Sequence, residues 1–413
     1  MHTPHTLKRI ERCSSVAISI LAAILLGCAG PSNSGGVSTP RQEDGQEMVV
    51  GGPFENREFF HIGMPERIAS VDTSPGWEQT GQKLLITGRI LAPDGRTPAP
   101  GVILYYYHTD VHGHYTDGPD LDPRVKRHGH IRGWVRSDAE GRYAIHTVRP
   151  APYPGGSDPA HIHPALLEPG IEVPYYIDEF VFDDDPLLTK EKRRAMEDRG
   201  GSGILRVLVQ GDLQIAEHDI VLGLNIPGHP AASATAGRSG RAIGEDQPSF
   251  IPFHAWGPDR GSRACPVCKY GRYHGIIYFV GDDPDMAEVE QWLTFLEGQS
   301  VQRDKYLKAY FVLGDAKDYD PAERRRALGS IGKRLGLERI ALTFVPSLTD
   351  SESEVDLNRL DGNIGNRFVI FRNGTIVDMF ADLPPDPGSF ARITDALDRT
   401  RSEYFDLPGI KHE

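Results

Sequence analysis

The sequence predicts a multidomain chain, an all-β sandwich followed by an α/β domain. Three observations carry this. The chain has 413 residues, and at roughly 100–200 residues per domain that is too long for one ordinary domain. Between residues 56 and 228 the apolar residues come in short runs broken by Gly, Pro and Asp, a pattern of short strands and regular turns. From residue 248 strand-like runs alternate with helical stretches, which implies a mainly parallel sheet. Composition agrees: 39% hydrophobic and 25% charged residues exclude a fully disordered chain. The formal charge of -13 argues against a nucleic-acid surface, which needs a basic patch.

Residues 1–28 read as an address. Lys8, Arg9 and Arg12 form a basic start, and Val16–Leu26 is apolar but short for a bilayer span. The segment ends Leu25-Leu26-Gly27-Cys28, which resembles a bacterial lipobox with Cys28 as the lipidation site. A plain secretory signal and a short anchor helix are the alternatives; all three place the rest outside the cytoplasm. The membrane contact expected is a lipid anchor only. Residues 29–55 are Gly-, Ser- and Pro-rich and read as a flexible tether.

In the first block, 56–228, the expected strands are Leu84–Leu91, Val102–Tyr107, Gly133–Ser137, Tyr143–Val148, Glu179–Phe182, Ile204–Val209 and Ile215–Leu222. One helix is expected near Thr189–Asp198. Tyr105, Tyr106 and Tyr107 are read as strand core and rim. Residues 229–247 are small and polar and read as a linker. In the second block, 248–413, strands are expected at Ile276–Val280, Ala309–Leu313, Ile340–Val345, Phe368–Phe371 and Ile376–Phe380, the last two joined at Asn373-Gly374. Helices are expected over Met286–Leu296, Pro321–Leu335 and Phe390–Tyr404.

The chemistry concentrates in Tyr153 to His163. His161 and His163 stand two apart, so on a strand both imidazoles face one side. Tyr153 lies just upstream and Tyr115 earlier. Two imidazoles and two phenolates would suit a hard, highly charged cation, because a tyrosine with a pKa near about 10 ionises at neutral pH only beside a strong Lewis acid. His108, His112, His114, His128 and His130 could form a second metal patch, but their polar, loop-like setting reads as pocket rim.

Several stretches together resemble the intradiol ring-cleavage dioxygenases, the catechol and protocatechuate dioxygenase family. They are Ile86–Leu91 with Asp94–Gly101, Gly113-His114-Tyr115, Ser137–Tyr143, Val148–Pro154, and Pro159-Ala160-His161-Ile162-His163, covering roughly 56–226. The resemblance implies non-haem Fe(III) ligated by Tyr115, Tyr153, His161 and His163, with Tyr153 and His161 axial. It implies an aromatic diol substrate cleaved with O2 to a muconate-type product, the diol displacing Tyr153. The family usually carries arginine three residues before the first histidine and glutamine further on; here those places hold Asp158 and Glu179. Arg132, Arg136 or Arg149 would then supply positive charge, and Arg132 and Arg149 join Tyr153 as the expected catalytic residues. Otherwise the substrate is neutral or bulky, or turnover is slow.

The second block contains Cys265-Pro266-Val267-Cys268, and its strand–helix order resembles the thioredoxin superfamily. The pair precedes the first clear strand, and no proline stands just before the late hairpin, where that superfamily has one. A tight disulfide, a redox pair and half of a metal site with His254 or His274 all remain open readings. The function expected is therefore an exported Fe(III) dioxygenase. The alternatives are a non-catalytic binding module of the same fold and a thiol oxidoreductase acting through Cys265 and Cys268. Oligomeric state is left open.

Overall fold

The computed structural model describes residues 49–231 and 239–412. The expected signal with Cys28 and the tether up to residue 48 lie outside the described residues, as do linker residues 232–238. Among the described residues no helix is long and apolar enough to cross a membrane. The protein is multidomain and mostly β, with an N-terminal β lobe and a C-terminal mixed α/β lobe.

The N-terminal lobe contains β1 (Val71–Thr73), β2 (Lys83–Leu91), β3 (Ile103–His108), β4 (Arg132–Arg136), β5 (Arg142–Val148), β6 (His161–Leu167), β7 (Tyr175–Tyr176) and β8 (Phe180–Phe182). Then come α1 (Lys190–Ala195), β9 (Ile204–Leu205), β10 (Leu208–Gln210), β11 (Leu213–Glu217) and β12 (Ile220–Val221). One sheet runs β1-β5-β2-β11-β10, with β12 on β2; the other runs β4-β3-β6-β8-β9, with β7 on β6. The two sheets share one core. Leu84, Ile86 and Ile145 of the first meet Leu104, Tyr106, Ile162, Leu166, Phe180 and Phe182 of the second.

β3 is apolar on both faces because both are covered. Leu104 and Tyr106 point into the shared core. Ile103, Tyr105 and Tyr107 pack outward with Phe60, under Phe54, Met64 and Ile68 of the preceding segment. A doubly covered strand loses the apolar–polar alternation of a half-exposed one.

Two expected strands are each divided. Ile204–Val209 changes sheet midway: β9 pairs with β8 and β10 with β11. Ile215–Leu222 breaks at His218 and Asp219, which cross over Gly88 of β2; a Cβ on Gly88 would sit 1.8 Å from the His218 carbonyl oxygen. β1, unforeseen in the sequence, pairs in parallel with β5, and its Asp72 accepts the Tyr106 hydroxyl at 2.6 Å.

The C-terminal lobe contains β13 (Phe253–Trp256), α2 (Pro266–Tyr270), β14 (His274–Val280), α3 (Met286–Arg303), β15 (Leu307–Leu313), α4 (Pro321–Leu335), β16 (Ala341–Phe344), β17 (Arg367–Arg372), β18 (Thr375–Ala381) and α5 (Pro387–Arg399). Its sheet runs β13-β16-β15-β14-β17-β18. β14, β15 and β16 are parallel, while β13, β17 and β18 run antiparallel to their neighbours. On one face Ile276, Tyr278 and Val280 meet α3, α4 and α5 through Trp292, Leu328 and Ile393. On the other, Ile277 and Phe279 meet Phe250, Leu348, Val355 and Leu360 of the connecting segments. Pro321–Leu335 is helical as expected, started by Asp320, whose carboxylate accepts from Ala322 and Glu323.

The described residues, from 49 onward, belong to one compact unit. The described part of the expected linker is stitched to both lobes. Gly244 N–H donates to the Ile376 carbonyl at 2.8 Å, and Ser202 N–H to that of Gly244 at 2.7 Å. Ion pairs add to this joint: Arg372 to Asp219 at 2.6 Å, Arg206 to Asp246 at 2.8 Å and Arg272 to Asp183 at 2.9 Å. The C-terminal tail returns to the first lobe, where Lys411 pairs with Val209.

Candidate metal centre

The site begins at the first residue of β6. Ile162 points into the core, so its neighbours His161 and His163 project from the opposite face. Pairing fixes them there: His163 lies opposite Tyr107 of β3, and His161 opposite Val181 of β8. Tyr153 arrives on the Pro-rich segment after β5. Tyr115 arrives on the turn after β3, where Asp110 Oδ1 accepts from the N–H groups of His112 and His114. Gly113 makes the approach possible. Its φ is +80°, and a Cβ there would lie 2.1 Å from the Pro152 carbonyl oxygen, so the two tyrosine-bearing segments can close only over glycine.

Four donor atoms converge. Tyr115 Oη lies 2.7 Å from Tyr153 Oη and 2.9 Å from His163 Nε2. Tyr153 Oη lies 3.1 Å from His161 Nε2 and 3.5 Å from His163 Nε2. With metal–donor bonds of roughly 2 Å, adjacent ligands of one ion stand roughly 3 Å apart. The set therefore fits a single ion.

The second nitrogen of each ring supports the same fit. His161 Nδ1 is 2.7 Å from the Pro159 carbonyl, an acceptor only, so that nitrogen carries the proton. His163 Nδ1 is 2.9 Å from Glu179 Oε1. Both Nε2 lone pairs are thereby turned toward the phenols, the arrangement metal-ligating histidines adopt. Tyr107 stacks on His163 with ring centroids 4.5 Å apart, and on its other face against His128 at 3.6 Å. Burial raises the Tyr115 phenol far above its ordinary pKa, and the Tyr153 hydrogen bond raises it further. Burial raises Tyr153 as well. Phenolate at this site thus needs a cation beside it. Burial also lowers His163, keeping the imidazole neutral and able to ligate.

Tyr153, His161 and His163 line a cavity of about 560 Å³, with Ile177, Val181, Leu188 and Met196 as apolar wall. A larger cleft of about 840 Å³ lies between α1 and residues 351–359. It holds none of the four donors, so the chemistry belongs to the smaller cavity. Among the described residues, the grouping of three or more His, Cys, Asp or Glu donor atoms within 4.8 Å is His161, His163 and Glu179.

The structure does not bring the expected arginines to this cavity. Arg132 donates to the carbonyls of Phe59 and Ile62 and lies over Tyr105 and Trp134. It is committed to fastening the 57–62 segment. Arg149 pairs with Asp184 at 2.6 Å and covers Phe182. Arg136 is exposed and reaches the Gly101 carbonyl. The cations that do line the cavity, Lys192 on α1 and Arg199, gave no local signal in the sequence. Nor did Glu179's role as partner of His163 or Tyr107's as its stacking support. The expected histidine patch is dispersed: His108 bonds Thr147, His130 bonds Gln79 and Thr116, and His128 bonds Tyr105.

Residues 58–200 match the family model Dioxygenase_C, described as a dioxygenase. An intradiol dioxygenase family domain occupies residues 58–200. The chain is 28% identical over 120 residues to the protocatechuate 3,4-dioxygenase beta chain of Burkholderia cepacia, covering 27% of this chain and 49% of that one. It is 35% identical over 122 residues to the hydroxyquinol 1,2-dioxygenase of Rhodococcus opacus, covering 30% and 36%. The chain thus spans half or less of the length of these two relatives. The solved hydroxyquinol 1,2-dioxygenase of Pseudomonas putida DLL-E4 aligns with a TM-score of 0.29 and 26% identity, covering 44% of this chain and 68% of that one. All four donors of the convergent set fall inside the intradiol dioxygenase domain.

In the C-terminal lobe, Cys265 and Cys268 form a disulfide. Cys265 caps the five-residue α2, and Cys268 is exposed. His254 bonds the Ala264 carbonyl and His274 bonds Thr400. Neither groups with the cysteines as metal donors among the described residues.

Proposed function

We propose that the protein is a non-haem Fe(III) intradiol dioxygenase that cleaves aromatic 1,2-diols with O2 to muconate-type products. One observation carries this reading: the convergence of Tyr115 Oη, Tyr153 Oη, His161 Nε2 and His163 Nε2. When bound, Fe(III) supplies the Lewis acidity that keeps the phenols ionised and makes the diol ring reactive toward O2. The chain's own residues do the rest. Tyr153 lines the cavity, so its Oη can take a proton from an entering diol. Glu179 and the Pro159 carbonyl hold the two imidazoles in orientation. Ile177, Val181, Leu188 and Met196 offer the aromatic ring an apolar wall and limit water. Iron analysis with a visible spectrum tests this. A broad tyrosinate-to-iron band that Tyr153→Phe displaces, together with O2 uptake on a catechol panel, is expected. Protein that stays colourless after ferric loading overturns it.

A second reading, thiol–disulfide exchange by a thioredoxin-like C-terminal lobe, is favoured by the exposure of Cys268. Insulin-disulfide reduction abolished by Cys265→Ser supports it; reduction that survives the substitution excludes it. Export and lipid anchoring through residues 1–28 belong to the same proposal. Release of the protein from membranes by Cys28→Ser is the corresponding test.

A further inference from the structure

The cavity beside the four donors carries more acid than base. Asp158, Asp178, Glu179 and Glu197 line it, against Lys192 and Arg199. Both cations are already engaged. Arg199 donates through Nη2 to the carbonyls of Gly51 at 2.8 Å and Tyr176 at 3.2 Å. Lys192 donates to the Ser157 carbonyl and lies 3.5 Å from the Asp158 carboxylate. Two of the acids are likewise spoken for, Asp158 by Lys192 and Glu179 by His163. Asp178 and Glu197 form no side-chain ion pair among the described residues; burial pushes the Asp178 carboxyl up to about 6, although the backbone N–H groups of Arg199 and Asp198 and the Arg199 charge pull it down. Asp178 Oδ2 is buried with no hydrogen-bond partner among the described residues, and Glu197 is exposed. A ring bearing a carboxylate would enter toward these two groups with no uncommitted cation in the lining to receive it. Like charges at such range repel, and the repulsion is screened by salt.

We propose that the cavity takes aromatic 1,2-diols without an anionic substituent and discriminates against those that carry a ring carboxylate. This rests on the iron-site reading and adds a substrate class to it. Asp178 and Glu197 are its specificity-determining residues. They act on the substituent rather than on the diol oxygens.

The test uses the full chain loaded with Fe(III), without O2, and reads binding from the visible band. The probes are 1,2-dihydroxybenzene, its 4-carboxylate and its 4-(2-aminoethyl) derivative. The carboxylate is expected to bind at least about tenfold more weakly than the parent diol, a difference of about 1.4 kcal/mol. The ammonium compound should bind at least as well as the parent. Raising the salt from about 0.02 M to about 0.5 M should narrow the carboxylate gap, because the Debye length shrinks to a few ångströms, on the order of 4 Å. Glu197→Lys should bring the carboxylate to within about threefold of the parent; Glu197→Gln should act in the same direction and less. Equal affinities for parent and carboxylate, or a gap that neither salt nor Glu197→Lys moves, overturns this inference while a normal visible band leaves the iron site standing. Failure of any band to form on ferric loading overturns the iron site and this inference together.

Discussion

His163 is held by more than its place on β6. Glu179 accepts from its Nδ1, and Tyr107 lies flat against the ring. Such outer partners of a ligating histidine fix ring orientation and raise its basicity. Glu179→Ala should therefore weaken metal affinity by roughly 10–100-fold, measured by competition with a chelator. Glu179→Gln, which can still accept from Nδ1, should lose less. Equal affinity in Glu179→Ala and the parent protein would mean the carboxylate has no part in holding the ring. The pairing of His161 with His163 was legible in the sequence, because spacing along a strand places alternate side chains on one face. Glu179 was visible only as an acid where related enzymes carry an amide; its bond to His163 was not. That bond depends on β8 lying beside β6, a pairing between segments remote in sequence.

Close packing of elements makes its own predictions. α4 lies so near β13 that a Cβ on Gly332 would sit 2.3 Å from the Trp256 ring. Gly332→Ala gains helix propensity but must push the helix off the indole. A net loss of ~1–3 kcal/mol is expected in denaturant unfolding. No loss, or a gain, would show that Trp256 can swing aside. Two strands carry buried histidines at their ends. His108 closes β3 and His274 opens β14, and burial lowers them to about 4 and about 3. Both are neutral when folded, but in the unfolded chain each takes a proton near the ordinary value of about 6.5. The unfolded state therefore binds more protons below that pH. The contribution to stability is intact above about 6.5 and is lost as the pH falls toward the folded values. Melting temperatures should fall steeply between about pH 6.5 and 4, and His274→Gln should flatten that fall. An unchanged slope in the variant would contradict it. Strand positions were largely readable from apolar runs, whereas the division of Ile204–Val209 was not. Its residues look like one strand, and only the change of sheet between Leu205 and Leu208 breaks them.

The two lobes behave as one body at the scale of the whole molecule. Arg372 of β17 reaches Asp219 at 2.6 Å and lies 4.0 Å from Glu217, all three largely buried. Arg372→Ala would leave two carboxylates inside the joint without their cation, and a loss of ~3–5 kcal/mol is expected. The parent chain should unfold in a single calorimetric transition, and the variant should show the lobes beginning to separate. Two well-resolved transitions in the parent chain would refute the single-body reading. The same joint reaches the candidate site. Glu354 of the C-terminal lobe bonds both Lys190 and Arg194 of α1, the helix that brings Lys192 to the cavity.

The sequence by itself determined the strand-rich first block, the strand–helix alternation of the second and the placing of His161 and His163 on one face of a strand, while Tyr115 and Tyr153 joined them only through the family resemblance. The first three follow from periodicity and from side-chain chemistry, which act over a few residues. Tertiary structure alone decided that Arg132 and Arg149 serve packing and ion pairs away from the cavity, and that Lys192 and Arg199 line it instead. It also decided that the small, polar stretch before residue 248 is clasped between lobes where it is described. Each of these outcomes depends on which remote segments meet. A guanidinium or a run of small residues carries no local record of the partner that folding assigns to it.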